Sequence, residues 1–159
     1  MIDPRANSPE RLDAPHPLPC VSRRALKRVK NPLPPPTECP CCKGPVRLVS
    51  NSEIYNGREY GEWPYMYYCK LCDAYVGLHP ATDIPLGTMA TKVGREARKS
   101  SKTVFHKLMD ITQKSRADMY AWLADKMGMT RGECHFGWFD EQNCARAEAI
   151  CSLEIKNIK

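Results

Sequence analysis

The sequence predicts an α+β protein: a small antiparallel sheet followed by a bundle of about three helices, with a disordered Pro-rich arm in front. Three observations predict it. Nine of the 14 prolines precede Cys39. Between Cys39 and Cys72, short apolar and aromatic runs are separated by turn residues. Beyond Pro80 and Pro85 the apolar spacing changes to that of a helix.

Residues 1–38 form the expected arm. Each proline fixes its own φ, removes an N–H donor and pushes the preceding residue away from helical backbone. No long regular element fits between them, and Pro34-Pro35-Pro36 reads as a stiff spacer. The arm holds seven Lys or Arg against four Asp or Glu, so half of the chain's net charge of +6 lies here. Ser22-Arg23-Arg24-Ala25-Leu26-Lys27-Arg28-Val29-Lys30 carries five of those cations and would form a short basic helix on a polyanion.

Residues 39–159 are expected to make a single domain. Val46 to Val49 and Tyr65 to Tyr68 read as strands, with Asn51-Ser52 and Asn56-Gly57 as turns. They lie between two cysteine pairs. Cys39-Pro40-Cys41-Cys42-Lys43-Gly44 contains Cys-Pro-x-Cys, and Cys69-Lys70-Leu71-Cys72 follows after 26 intervening residues. A Cys-x2-Cys turn directs backbone amides at its sulfurs and lets both bind one tetrahedral ion. One such pair among nine cysteines arises readily by chance. Two pairs flanking predicted strands specify a zinc-ribbon-like sheet with Zn2+ held by Cys39, Cys42, Cys69 and Cys72. The spacing also admits a register using Cys41. Gly44 is expected to supply a positive φ in the first turn. Four thiolates leave no open coordination position, so the ion would be structural.

In the second half, Val93, Ala97, Val104, Leu108 and Ile111 recur at helical spacing, with Thr88 as an expected N-cap. Ser115-Arg116-Ala117-Asp118 has the form of a capping box, and Tyr120, Leu123, Ala124 and Met127 make one stripe ending near Gly128. Asp140 would cap a third helix from Glu141 to about Leu153.

Cys39-Pro40-x-Cys42, Cys69-x2-Cys72-Asp73-Ala74-Tyr75-Val76-Gly77, His79-Pro80, Pro85-Leu86-Gly87-Thr88, His106, Tyr120-x-Trp122-Leu123-Ala124 and His135-Phe136-Gly137-x-Phe139-Asp140 form an ordered series. Together they resemble a phage and bacterial zinc-finger-containing family of uncharacterised function, over roughly residues 38–151. The resemblance implies a zinc-bound domain of the kind found in phage genomes and carries no activity with it. Leu78 stands where relatives are expected to have Cys.

For function, the basic run offers Arg23, Arg24, Lys27 and Arg28, and the first long helix offers Arg95, Arg98, Lys99 and Lys102, as salt-sensitive phosphate contacts. The leading expectation is therefore binding of nucleic acid or of a host nucleoprotein machine. A second reading is a protein-binding module that modulates a host enzyme. A third is a metal-dependent nuclease using His106 and Asp110, four apart on one helix, with His135. His79 would orient a loop or contact phosphate. Trp63, Tyr65, Tyr67, Tyr68 and Tyr75 offer stacking surfaces for single strands, although alternation puts only part of the set on one face. No P-loop or Ser-His-Asp arrangement is present. No apolar run approaches the roughly 20 residues of a membrane span, and the start lacks a secretory leader. These features, with an odd number of cysteines, lead to the expectation of a soluble cytoplasmic protein.

Overall fold

The computed structural model describes residues 1–159, which divide into two compact units, Met1–Thr91 and Lys92–Lys159. The sheet lies in the first. Strands β1 (Arg47–Ser50), β2 (Tyr65–Cys69) and β3 (Ala74–Gly77) pair antiparallel in that order. In register, Leu48 faces Tyr67, and Tyr67 faces Val76. With a side-chain period of two, these three share one face, which joins the buried cluster of the unit. Beyond β3 the chain turns at Leu78–Pro85 and returns, so that Tyr75 bridges Ala90 on the sheet's far edge.

The expected disordered arm is corrected by the structure. A 3-10 turn at Pro4–Asn7 and the short helix α1 (Arg23–Arg28) are both formed. Ala6, Leu18, Val21, Leu26 and Val29 are buried in the same cluster as Tyr67 and Val76. Proline does forbid long regular elements here, but it does not forbid folded loops whose intervening apolar residues find a core. The segment is also tied by polar contacts. The Ser22 N–H donates to the Ala81 carbonyl at 2.9 Å, and the Asn31 N–H to the Met1 carbonyl at 2.9 Å. Arg5 reaches Asp83 with two guanidinium nitrogens at 2.7 and 2.9 Å, and Asp3 with a third bond at 2.7 Å. Asp83 is buried, and its backbone carbonyl accepts from the Tyr67 hydroxyl. The compact boundary thus falls after Thr91 and not after residue 38, because the arm supplies core that the small sheet lacks.

The second unit contains α2 (Lys92–Thr112), α3 (Arg116–Met127) and α4 (Glu141–Ile158). Its caps are those the sequence signals. Ser115 Oγ accepts from the Asp118 N–H at 3.1 Å, Gly128 closes α3 at φ 68, and Asp140 accepts from the Asn143 N–H at 2.7 Å. The start and inner face of α2 differ from expectation. The residue preceding the helix is Thr91 and not Thr88. Val93 and Ile111 are exposed, while Gly94, Ser101, Phe105 and Leu108 face inward. Ser101 escapes the usual cost of burial because its hydroxyl donates to the Ala97 carbonyl one turn back at 2.9 Å. Phe105 is the hub, with ring centroids 4.8 Å from Tyr120 and 5.3 Å from Phe136.

No helix is long and apolar enough to cross a membrane.

Candidate metal centre

Each cysteine pair sits in a turn of the same construction. In the first, the Lys43 N–H donates to the Cys39 carbonyl at 2.9 Å; in the second, the Asp73 N–H donates to the Cys69 carbonyl at 2.9 Å. Lys43 and Asp73, each immediately after the pair's second cysteine, adopt φ 65 and φ 61. The left-handed residue is therefore not Gly44. What Gly44 contributes is the missing Cβ, which would lie 2.7 Å from Leu71 Cδ1 and 3.2 Å from Cys42 Sγ. The following amide then points back at sulfur in both turns. The Gly44 N–H donates to Cys42 Sγ at 3.4 Å, and Ala74 N–H donates to Cys72. The first turn is closed at its base by the Cys39 N–H bonding the Gly44 carbonyl and by a bridge between Glu38 and Pro45. The second lies between β2 and β3.

The two turns bring four sulfurs together. Cys39 Sγ lies 3.6 Å from Cys72 Sγ, Cys42 Sγ lies 3.5 Å from Cys69 Sγ, and all four lie within 4.8 Å of one another. A tetrahedral ion with Zn–S bonds of about 2.3 Å requires sulfurs about 3.8 Å apart, so the donor set fits the size and softness of zinc. Cys39 and Cys69 are fully buried, Cys72 is half-buried and Cys42 is exposed. The Cys72 N–H, chief among several donors, holds the Cys69 thiol down to about 7, whereas burial pushes Cys72 up to about 12. A divalent ion bound to all four would favour the thiolate at each. Cys41 stays outside this set.

No other group of three or more His, Cys, Asp or Glu side chains converges in this way. His106 and Asp110 are exposed on α2, and the half-buried His135 packs on Trp138 at 4.5 Å. They are not among the side chains whose ligand atoms converge. His79 is half-buried, and burial lowers its pKa. The aromatic set is engaged mainly in packing. Tyr67 is buried, Trp63 Nε1 donates to the Thr82 carbonyl at 3.0 Å, and Tyr68 donates to Asp73 at 2.8 Å.

The cationic candidates divide by role. Arg23 donates to the Ser8 and Glu10 carbonyls, and Arg98 Nε to the Phe139 carbonyl at 2.9 Å, so both brace their own units. Arg95 is half-buried. Arg24, Lys27 and Arg28 on α1, and Lys99 and Lys102 on α2, are exposed. None of these five takes part in the Arg5–Asp3, Arg5–Asp83 or Arg47–Glu53 ion pairs. The Arg5–Asp83 clamp has no signal in the sequence, since nothing local to either residue marks a partner 78 positions away.

A family model described as a zinc-finger-containing domain matches residues 35–153, well over half of the chain. No curated protein and no solved structure matches the chain significantly.

Proposed function

The chain belongs to this zinc-finger-containing family, and from that premise we propose that it binds nucleic acid, or a nucleoprotein complex, through basic surfaces that its folded units hold in place. Zinc at Cys39, Cys42, Cys69 and Cys72 would supply structure, joining two turns that the short strands alone hold weakly.

The observation that carries the reading is the two-sidedness of α1. Leu26 on its inner face and Val29 just past its end are anchored in the core, while Arg24, Lys27 and Arg28 stand exposed. A basic run that is already ordered loses less conformational entropy on meeting phosphate than a disordered arm does. The second unit has its own exposed cations, Lys99 and Lys102 on α2. Contacts of this kind release counterions and weaken steeply with salt.

The test is a binding titration of labelled single- and double-stranded DNA against the full chain at increasing salt. Replacing Arg24, Lys27 and Arg28 by Ala together is expected to flatten the log–log salt slope by about 2 to 3, each phosphate contact contributing about 0.7 to 0.9. Absence of binding at low salt, or an unchanged slope, defeats the proposal.

A second reading, a protein-binding module, is favoured by an apolar groove of about 420 Å³ lined by residues including Leu33, Pro34, Pro36, Pro85 and Met89. A direct protein contact that survives nuclease treatment and is lost in Leu33→Asp would favour this reading over the first.

A further inference from the structure

A fifth sulfur stands beside the four. Cys41 lies between the ligands Cys39 and Cys42 in sequence, and its thiol is close enough to Cys39 to interact with it. Its Sγ lies 3.9 Å from the Met89 carbonyl oxygen and accepts from the Thr91 N–H, two weak sulfur contacts that a metal–thiolate bond would outweigh. The residue is exposed, and its χ1 has three staggered wells in which the sulfur points in different directions.

The four ligands are not equally able to leave the ion. Cys39 and Cys69 are fully buried, so releasing either would strand a thiolate away from water. Cys39 is further pinned through both of its backbone groups, to Gly44 and Lys43. Cys42 is exposed, and water can solvate its sulfur on release. The entering group and the best leaving group are therefore adjacent residues on the solvent side of the first turn.

We infer that Cys41 is a reserve metal ligand that exchanges with Cys42, converting the set Cys39, Cys42, Cys69, Cys72 into Cys39, Cys41, Cys69, Cys72. In the exchange one metal–sulfur bond forms at Cys41 as the one at Cys42 breaks, and the proton lost from the Cys41 thiol ends on the released Cys42 sulfur. The ion keeps four thiolates before and after, with no oxidant required. The consequence is a kinetic one: a site closed at equilibrium passes its metal to an acceptor by associative steps and does not wait for spontaneous dissociation. The inference rests on the four-cysteine zinc site.

Cobalt substitution of the full-length protein tests it, because the sulfur-to-cobalt charge-transfer absorption counts thiolates. Wild type and Cys41→Ser are expected to show four. Cys42→Ser is expected to show four as well, by recruitment of Cys41, and the double variant Cys41→Ser/Cys42→Ser three. Cys69→Ser has no reserve sulfur in its own turn and is expected to show three. A three-thiolate spectrum for Cys42→Ser overturns the inference. If Cys42→Ser does not fold, zinc transfer to a chromophoric chelator decides: severalfold slower transfer from Cys41→Ser than from wild type supports the exchange, and equal rates overturn it. Failure of the wild type to bind cobalt or zinc would remove the metal site itself, and with it this inference, a result distinct from a three-thiolate Cys42→Ser.

Discussion

Lys92–Lys159 buries Phe105, Leu108, Leu123, Ala147 and Cys151 between helices of 12 to 21 residues. Met1–Thr91 must build its interior from strands of four or five residues, irregular loops and a six-residue helix. The difference lies in what holds each together. Long amphipathic helices bury a continuous stripe and satisfy their own backbone, so apolar burial is sufficient. Short strands do neither. In the first unit distant pieces are tied by discrete links: four sulfurs, the Arg5–Asp83 pair, and the apolar residues of a proline-rich segment. Such links can be removed one at a time, which makes the contrast testable.

Metal removal is expected to have the largest effect. Structural zinc contributes on the order of 10 kcal/mol to small domains, so chelator should unfold the first unit, read by the fluorescence of Trp63 with Trp122 and Trp138 replaced. Far-UV helical signal, which comes mainly from α2 to α4, should survive. Acid should act like chelator, because zinc binding requires deprotonated thiols and protons compete as the pH falls. A helical signal lost together with Trp63 would show that the units do not stand apart in this way.

Phe105→Ala inverts the experiment. Emptying the aromatic hub should cost about 3 to 5 kcal/mol in the helical unit and leave zinc affinity, measured by competition with a chelator, unchanged. Leu26→Ala asks whether the proline-rich segment is integral to the first unit. A fully buried leucine predicts a loss of about 2 to 5 kcal/mol, seen as a lower denaturation midpoint of the Trp63 signal. No change would restore the disordered arm.

Arg5→Leu leaves the buried Asp83 carboxylate without its partner. Arg5 is partly exposed, so the cost should be roughly 2 to 3 kcal/mol, below the figure for a fully buried pair. The same clamp gives a pH signature. The hydrogen bonds from Arg5 hold Asp3 below its ordinary 3.8. A depressed carboxyl stabilises the fold above its ordinary value and stops doing so as the pH falls through the lowered one. The stability difference between wild type and Arg5→Leu should therefore begin to shrink as the pH falls from about 5 towards 4, in chemical denaturation with zinc in excess, over the range in which the metal stays bound.

The smallest effect is expected from Gly44→Ala. Its Cβ would press on Leu71 Cδ1, the far end of an exposed side chain that can move aside, and on Cys42 Sγ, which a bound ion would hold. A severalfold weaker zinc affinity with an unchanged helical unit is the expected result. Wild-type affinity would show that Cys42 yields freely.

The sequence by itself determined most of the elements and which four cysteines converge. Cys-x2-Cys spacing is a local geometric requirement, and so are a serine or aspartate ahead of a helix and alternation along a strand, which is why Cys39, Cys42, Cys69, Cys72, Ser115, Asp140 and strands β1 and β2 were legible. β3 has no comparable signal, since Ala74 and Gly77 at its two ends are residues that strands disfavour. The left-handed backbone at Lys43 and Asp73 has no side-chain signature, so glycine drew the expectation to the wrong position. The order of residues 1–38 and the pairing of Arg5 with Asp83 were decided by tertiary structure alone. Composition records how many prolines and charges a segment has; whether Leu18, Val21 and Leu26 find a core depends on residues 40 or more positions away, and burial is a property of that meeting.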